Sequence, residues 1–535
     1  MSFEVTTGGV DLDDIQGSVV KAYGRYGLIV ARYVFFHVEV PVAGRKFVED
    51  ILPLVTRGIP WNDPSFIPRV ATNIGFTYEG LRHLDIPEVT LHGFPEAFSM
   101  GMKARREIIG DTGPSLFHRW DPVWNNRDDT TQHVHIMVTI DGKEEQDLES
   151  RYQEIRQILA ANPGVSQLEG HRGADGDNQQ YQPAAAILPS KDNLGYPGGK
   201  EHFGYSDGIT TTFFEGCGED KNLVIGGGKP TGGDPHSAAG WAPLATGEFI
   251  LGHPDEAFEY PEAPGPPLFS RNGTFMAYRK LHQNVGSFNA YLNDEGGKFP
   301  DGKEALAAKF AGRWRNGAPL VSFPTEKSAN EFIMELARLQ KKVWADSASS
   351  EEKNRFAELS LQLVAFDYSG DTSGAKCPFG SHMRRTNPRS ALEFGKRNAF
   401  DVPGALSNRR RILRRGLPYG RVVDPTRDDG DHGVIMLIAN ADLSRQFEFV
   451  QQQWMNYGNN FGLANDPDPL LGNHGTNEGR VGGGRMIIEG DVVTNKPPYF
   501  CNRIPTLVET RGGDYFFVPS LTCLRMIALG IIDPT

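Results

Sequence analysis

Gly27-Leu-Ile-Val-Ala-Arg-Tyr-Val-Phe-Phe-His-Val-Glu-Val40 is rich in β-branched and aromatic residues and reads as a β-strand. A short helical stretch follows over 44–52, then a strand over His133-Val-His-Ile-Met-Val-Thr-Ile140 and an amphipathic helix over 148–161. Strands interleaved with helices, without a Gly-rich dinucleotide fingerprint, predict an α+β sandwich. Further along, Glu259-Tyr-Pro-Glu-Ala-Pro-Gly-Pro-Pro267 cannot form regular structure, because prolines remove donors and fix φ. It reads as a linker over 259–267, separating a module at 1–258 from one at 268–535. Beyond it the same grammar returns, with a strand at 275–280, a helix at 329–345, a strand at 434–439 and a helix at 443–454. Two related modules are implied, although no literal repeat is detectable.

A chain of 535 residues exceeds one ordinary core, and 39% hydrophobic residues suffice to build two. The net charge of −12, with one basic cluster around Arg409–Arg415, argues against nucleic acid as a partner. Cys217, Cys377, Cys501 and Cys523 lie far apart, which argues against a disulfide scaffold or a cysteine zinc site and suits a reducing compartment. The apolar run 28–42 is interrupted by Arg32, His37 and Glu39, too short and too polar to cross a bilayer. Met1–Thr6 lacks a basic start leading into an apolar run, so a soluble, cytoplasmic protein without membrane association is expected. Oligomeric state is not legible.

Three segments carry chemistry. In Cys377-Pro-Phe-Gly-Ser-His-Met-Arg-Arg-Thr-Asn-Pro-Arg389, a histidine is followed by three arginines within seven residues. An imidazole can bind porphyrin iron axially and guanidiniums can pair with its propionates, although a basic surface would read the same way. Phe203-Gly-Tyr-Ser-Asp-Gly-Ile209 flanks a carboxylate with glycines, which permit a sharp turn and close approach to a flat ligand; an ordinary Asp-Gly turn is the alternative. In Arg411-Ile-Leu-Arg-Arg-Gly-Leu-Pro-Tyr-Gly420, an extended backbone would send Arg414 and Arg415 in opposite directions, one inward and one to solvent. His133-x-His135 could chelate a metal from one strand face, which keeps a non-haem metalloenzyme as a rival, but two structural histidines are the simpler reading. Gly226-Gly-Gly-Lys-Pro230 lacks the spacing of a phosphate loop.

Together these segments resemble the dye-decolourising peroxidases. The family's Gly-x-x-Asp-Gly motif matches Gly204–Gly208, its proximal-histidine segment matches Cys377–Arg389, and its distal-arginine segment matches Ile412–Gly420. Further landmarks occur in the same order, from Asp14-Ile-Gln-Gly17 through Gly247-Glu-Phe-Ile-Leu-Gly252 to Arg511-Gly-Gly-Asp-Tyr-Phe-Phe-Val-Pro-Ser520. The resemblance implies two ferredoxin-like modules of the dimeric α+β barrel type, with haem b held mainly by the C-terminal one. It implies a peroxidase that reduces hydrogen peroxide to water and oxidises dyes, phenolics or similar aromatic donors by one-electron steps. A non-catalytic haem-binding or haem-delivery protein on the same scaffold is the alternative.

The roles carried over place His382 on the iron and Asp207 and Arg414 across the ring as the pair that cleaves peroxide. Arg384 and Arg389 are expected at the haem propionates, with Val434 and Met436 in the wall over the ring. Gly416 falls where one subgroup has asparagine, so a third polar side chain is absent there. Asp468 is the candidate acceptor for the second ring nitrogen of His382. Tyr419 is the candidate surface aromatic through which electrons from bulky donors would enter.

Overall fold

The computed structural model describes residues 9–61, 63–125, 129–172, 178–188, 199–218, 223–393, 404–474 and 483–532. A ten-stranded sheet runs through both halves of the chain. The N-terminal half supplies β1 (Val30–Val38), β2 (Val70–Phe76), β3 (Ile136–Gly142), β4 (Val165–Leu168) and β5 (Gln182–Ala185). The C-terminal half supplies β6 (Thr274–Gln283), β7 (Leu413–Arg415), β8 (Pro418–Tyr419), β9 (Gly433–Asn440) and β10 (Val508–Val518).

The order along the sheet is β7-β9-β6-β10-β2-β3-β1-β4, with β5 pairing β1 and β8 pairing β9. Its strand pairs are antiparallel. Counting the four main strands within each half, both read 4-1-3-2, and the halves meet where Phe517 of β10 pairs with Phe76 of β2. The ferredoxin-like repeat expected from the resemblance is therefore present twice, in one continuous sheet.

Strand β1 is buried along nearly its whole length and β6 along all of it, so both faces of the sheet are covered there. That explains why β1 reads as an unbroken apolar run rather than an alternating one. Helices α1 (Pro41–Ile51) and α2 (Glu145–Ala161) follow β1 and β3, as the sequence pattern predicts. In the C-terminal half, α3 (Val285–Gly296), α4 (Gly302–Ala311), α5 (Glu326–Trp344) and α6 (Ser350–Gln362) fill the long excursion between β6 and β7.

Two details depart from the sequence reading. Strand β3 begins at Ile136, so His133 and His135 precede it rather than sharing one of its faces. The segment expected as a helix over 443–454 is wound as π-helix over Ser444–Glu448 and Val450–Met455.

Burial on both faces forces the charges of β6 into pairs. Arg279 donates from Nη1 and Nη2 to the two oxygens of Asp111, each at 2.7 Å, and both residues are under 4% exposed. Lys280 Nζ donates to Asp121 at 2.8 Å and Asp431 at 2.9 Å, and sits 4.6 Å from the Tyr419 ring centre. Removing one member of such a pair strands the other charge in a low dielectric. Asp111→Ala should therefore destabilise the fold by about 3–5 kcal/mol. Thermal unfolding should show the single variant well below wild type and the apolar double variant Arg279→Met/Asp111→Leu much closer to it.

Candidate active site

The distal-arginine segment crosses the sheet edge as β7, where Arg414 pairs with Ile438 of β9 and Arg415 with Leu437. Cross-strand partners share a face and side chains alternate along a strand, so Arg414, Val434, Met436 and Ile438 lie on one face of the sheet. Val434 and Met436 are both half-buried there. Arg415 turns the other way, but not to solvent: its Nε donates to the Ser18 and Lys21 carbonyls and its Nη2 to Val19. Between β7 and β8, Gly416 has φ +109°, and a Cβ there would stand 2.0 Å from the Ile435 carbonyl oxygen. Glycine is obligatory at that point, so the missing asparagine follows from backbone crowding.

Asp207 comes to Arg414 from the other half of the chain. Arg414 Nη1 donates to Asp207 Oδ2 at 3.0 Å, Nη2 donates to Oδ1, and the Gly208 amide donates to Oδ1 at 2.7 Å. Positive φ values of 92° at Gly204 and 72° at Gly208 let the intervening loop turn tightly enough to present the carboxylate. Burial pushes the Asp207 carboxyl up, but the Arg414 guanidinium and the Gly208 amide outweigh it and hold the group below the usual carboxylate range. Both side chains remain about one-third exposed, at 33% for Asp207 and 37% for Arg414.

His382 opens a short helix, α7 (His382–Thr386). Its Nδ1 donates to Asp468 Oδ2 at 3.0 Å, which leaves Nε2 with a free lone pair and no hydrogen-bond partner among the described residues. The ring is 30% exposed, whereas Asp468 is fully buried. Asp468 is itself held by the Leu470 and Leu471 amides on Oδ1, at 2.9 and 2.7 Å. The charge of His382 is felt at Asp207 and that of Arg414 at His382, so the imidazole and the carboxylate–guanidinium pair face a common space.

Two sequence expectations are corrected. Arg384 is completely buried, with Nη1 on Asp371 Oδ2 at 3.0 Å and on the Cys377 carbonyl at 2.6 Å, its guanidinium between the Tyr368 and Phe379 rings. Arg389 is 2% exposed, donates to the Val364 and Gly226 carbonyls and stacks on Phe366 and Trp241. Both guanidiniums are used in shaping loops, so neither is free for a propionate. Tyr419 is also misplaced by the sequence reading. It is 2% exposed, because it shares the inward face with Gly433, its cross-strand partner, and covers Lys280. A bulky donor cannot touch it.

Two residues escaped the sequence reading. Arg385, inside the histidine segment, is 1% exposed and donates to the Trp454, Tyr457 and Asp466 carbonyls. It thereby ties α7 to the stretch that delivers Asp468. Arg315, after α4, lies beside Gly204 with its guanidinium over the Tyr205 and Phe288 rings, and its Nη2 is buried without a hydrogen bond. Its position is set by tertiary packing, and no local motif marks it. At the rival site, His135 Nδ1 accepts the Val38 amide, and no group of three or more His, Cys, Asp or Glu among the described residues is placed to hold a metal ion.

The donor set fits a haem. A single imidazole with an unpartnered Nε2, backed by a buried carboxylate, is an axial iron ligand of the ordinary peroxidase kind, and a proton acceptor and a cation stand in the space it faces.

Comparison with known proteins agrees. The DyP dimeric alpha+beta barrel domain matches residues 14–173. A dye-decolorizing peroxidase from Mycena epipterygia is 27% identical over 97% of this chain and 87% of its own length. One from Auricularia auricula-judae is 25% identical, with coverage of 97% and 87%. A crystal structure of a fungal DyP-type peroxidase from Auricularia auricula-judae superposes with a TM-score of 0.70, covering 98% of this chain and 100% of that one at 22% identity. With the twofold 4-1-3-2 sheet and the motif order, these matches show that the chain belongs to the dye-decolorizing peroxidase family.

Proposed function

We infer that this chain is a haem peroxidase that reduces hydrogen peroxide to water and oxidises phenolic or other aromatic donors by one-electron steps. The observation that carries this is the Asp207–Arg414 pair within electrostatic reach of a histidine whose Nε2 is unpartnered. A haem carrier would need His382 alone, and nothing in carriage explains the pair. A structure of one relative contains 2,6-dimethoxyphenol, which supports phenols as a donor class. Cys217, Cys377, Cys501 and Cys523 include no Cys-x-x-Cys-His segment for thioether attachment, which supports non-covalent haem b.

In this reading His382 binds the iron, Val434 and Met436 line the wall beside Arg414, and Arg315 replaces Arg384 and Arg389 as the cation available to a haem carboxylate. The division at 259–267 is supported by the recurrence of the same strand order on either side of it. No helix among the described residues is long and apolar enough to cross a membrane.

When bound, the haem supplies the redox centre at which peroxide is reduced and aromatic donors are oxidised. The chain supplies the proton traffic. Asp207, ionised because Arg414 stabilises its charge, accepts the proton of one peroxide oxygen and returns it to the other, so that water rather than hydroxide departs. Arg414, donating through two nitrogens, offsets negative charge as the O–O bond lengthens. Asp468 keeps the Nδ1 proton of His382 in place and so keeps Nε2 directed at the metal.

Asp207→Asn should slow the peroxide reaction by about 10²–10⁴-fold in stopped-flow absorbance while leaving the resting haem spectrum unchanged. His382→Ala should abolish that spectrum; a spectrum indifferent to the change would end the haem reading. The pH dependence has a definite sign. Because the Asp207 carboxyl is held below the usual range, the proton acceptor persists into acid, and the rate falls only when pH drops through that lowered value. Removing the cation in Arg414→Leu lets burial dominate, so the acid limb of the pH–rate profile should move to higher pH. An unmoved limb would show that Asp207 is not the group titrating.

A further inference from the structure

The loop that presents Asp207 is folded around a second carboxylate. Glu201 is half-buried, and its Oε2 accepts the Phe203 amide at 2.9 Å while its Oε1 accepts the Tyr205 amide at 2.8 Å. Its own backbone closes the same turn: Glu201 N donates to the Tyr205 carbonyl at 3.1 Å, and Gly204 N donates to the Glu201 carbonyl at 2.9 Å. Gln283, the last residue of β6, clamps it from the sheet. Gln283 Nε2 donates to Glu201 Oε2, and Gln283 Oε1 accepts the His202 amide at 3.3 Å.

Past this knot the loop is pinned to the C-terminal half. Ser206 N and Oγ each donate to the Arg315 carbonyl at 3.1 Å, and Asp207 N donates to the Gly199 carbonyl at 2.9 Å. The Glu201 carboxylate therefore organises two amides of the hairpin that ends on Asp207 and bonds it to a buried strand. Its charge also reaches Asp207, Arg414 and His382 without contacting any of them directly. Amides alone could be satisfied by a neutral acceptor or water. A carboxylate locked by a glutamine on the sheet gives the loop one register, and hence gives Asp207 one bearing on Arg414.

We propose that Glu201 is a positioning residue for peroxide cleavage, acting through the Phe203 and Tyr205 amides and the Gln283 clamp to hold the Asp207 loop in place. The proposal rests on the reading of Asp207 as the proton acceptor.

The test uses the holoenzyme and the variants Glu201→Ala, Glu201→Gln and Glu201→Gln/Gln283→Glu. In Glu201→Ala, amide hydrogen exchange over 199–208 should accelerate by about tenfold to a hundredfold, as loss of hydrogen bonds to a charged acceptor requires. Exchange in β6 should stay unchanged, and the peroxide rate constant should fall by a comparable factor with the resting spectrum intact. Glu201→Gln opposes two side-chain amides or, with Gln283 flipped, turns an NH₂ group on the His202 amide, so it should also lose protection and rate. The double variant restores every bond with donor and acceptor exchanged, and should recover both readouts to within about threefold of wild type.

Unchanged exchange in Glu201→Ala, or faster exchange with a peroxide rate within about twofold of wild type, would overturn the proposal. If Glu201→Ala does not fold, the single and double glutamine variants decide, and failure of the double to recover counts against it. Asp207→Asn, run alongside, separates the two levels of inference. A wild-type rate in that variant defeats the proton-transfer reading itself, whereas a slow Asp207→Asn beside a fast Glu201→Ala defeats only the clamp.

Discussion

The two-nitrogen contact between Arg414 and Asp207 is the constraint on which the site depends. It joins residues 207 positions apart, one on the edge of the C-terminal half of the sheet and the other on a loop of the N-terminal half. Neither group is useful without its partner. An isolated carboxylate in this partly buried place would rise in pKa and protonate, and an isolated guanidinium would lack a fixed direction. Paired, the carboxylate stays ionised and the guanidinium is aimed. The sheet makes the pairing possible: β10 meets β2, so the two halves share one scaffold and their facing elements keep a fixed separation.

The opposite side of the site follows another physical rule, that buried polar groups must be fully satisfied. Asp468 spends one oxygen on two backbone amides and the other on His382, so it has a single stable orientation. Arg385 answers three carbonyls of the stretch that carries Asp468, and Arg384 answers Asp371 at the base of the histidine loop. The run of arginines after His382 therefore serves mainly to hold the imidazole where it is. Three guanidiniums donating to carbonyls and one carboxylate make a rigid bed from a segment with little regular structure.

How much could be read beforehand varied with the range of the interaction. The strands at β1, β6 and β9 and the helices at α2 and α5 were legible because composition and periodicity act locally. The candidate residues Asp207, His382 and Arg414 were legible through short motifs, and Asp468 through the chemistry an axial histidine requires. Arg384, Arg389 and Tyr419 were misjudged for one shared reason. Residue type tells what a side chain can do, but the direction it faces is decided by which surface covers it. Tyr419 is inward because it pairs with Gly433 on the face that carries Lys280, a matter of register that no local pattern encodes.

Sequence by itself determined the element types, the division around the proline-rich stretch, the glycines that permit the tight turns at 204 and 208, and the kinds of chemical group available. Tertiary structure alone decided which of those groups meet. It brought Arg315 and Gln283 to the Asp207 loop, withdrew Arg384 and Arg389 from the site, and left Nε2 of His382 without a partner. Such meetings depend on sheet register and on the pairing of charges buried far apart in the chain, and these are settled only when both halves have closed on one another.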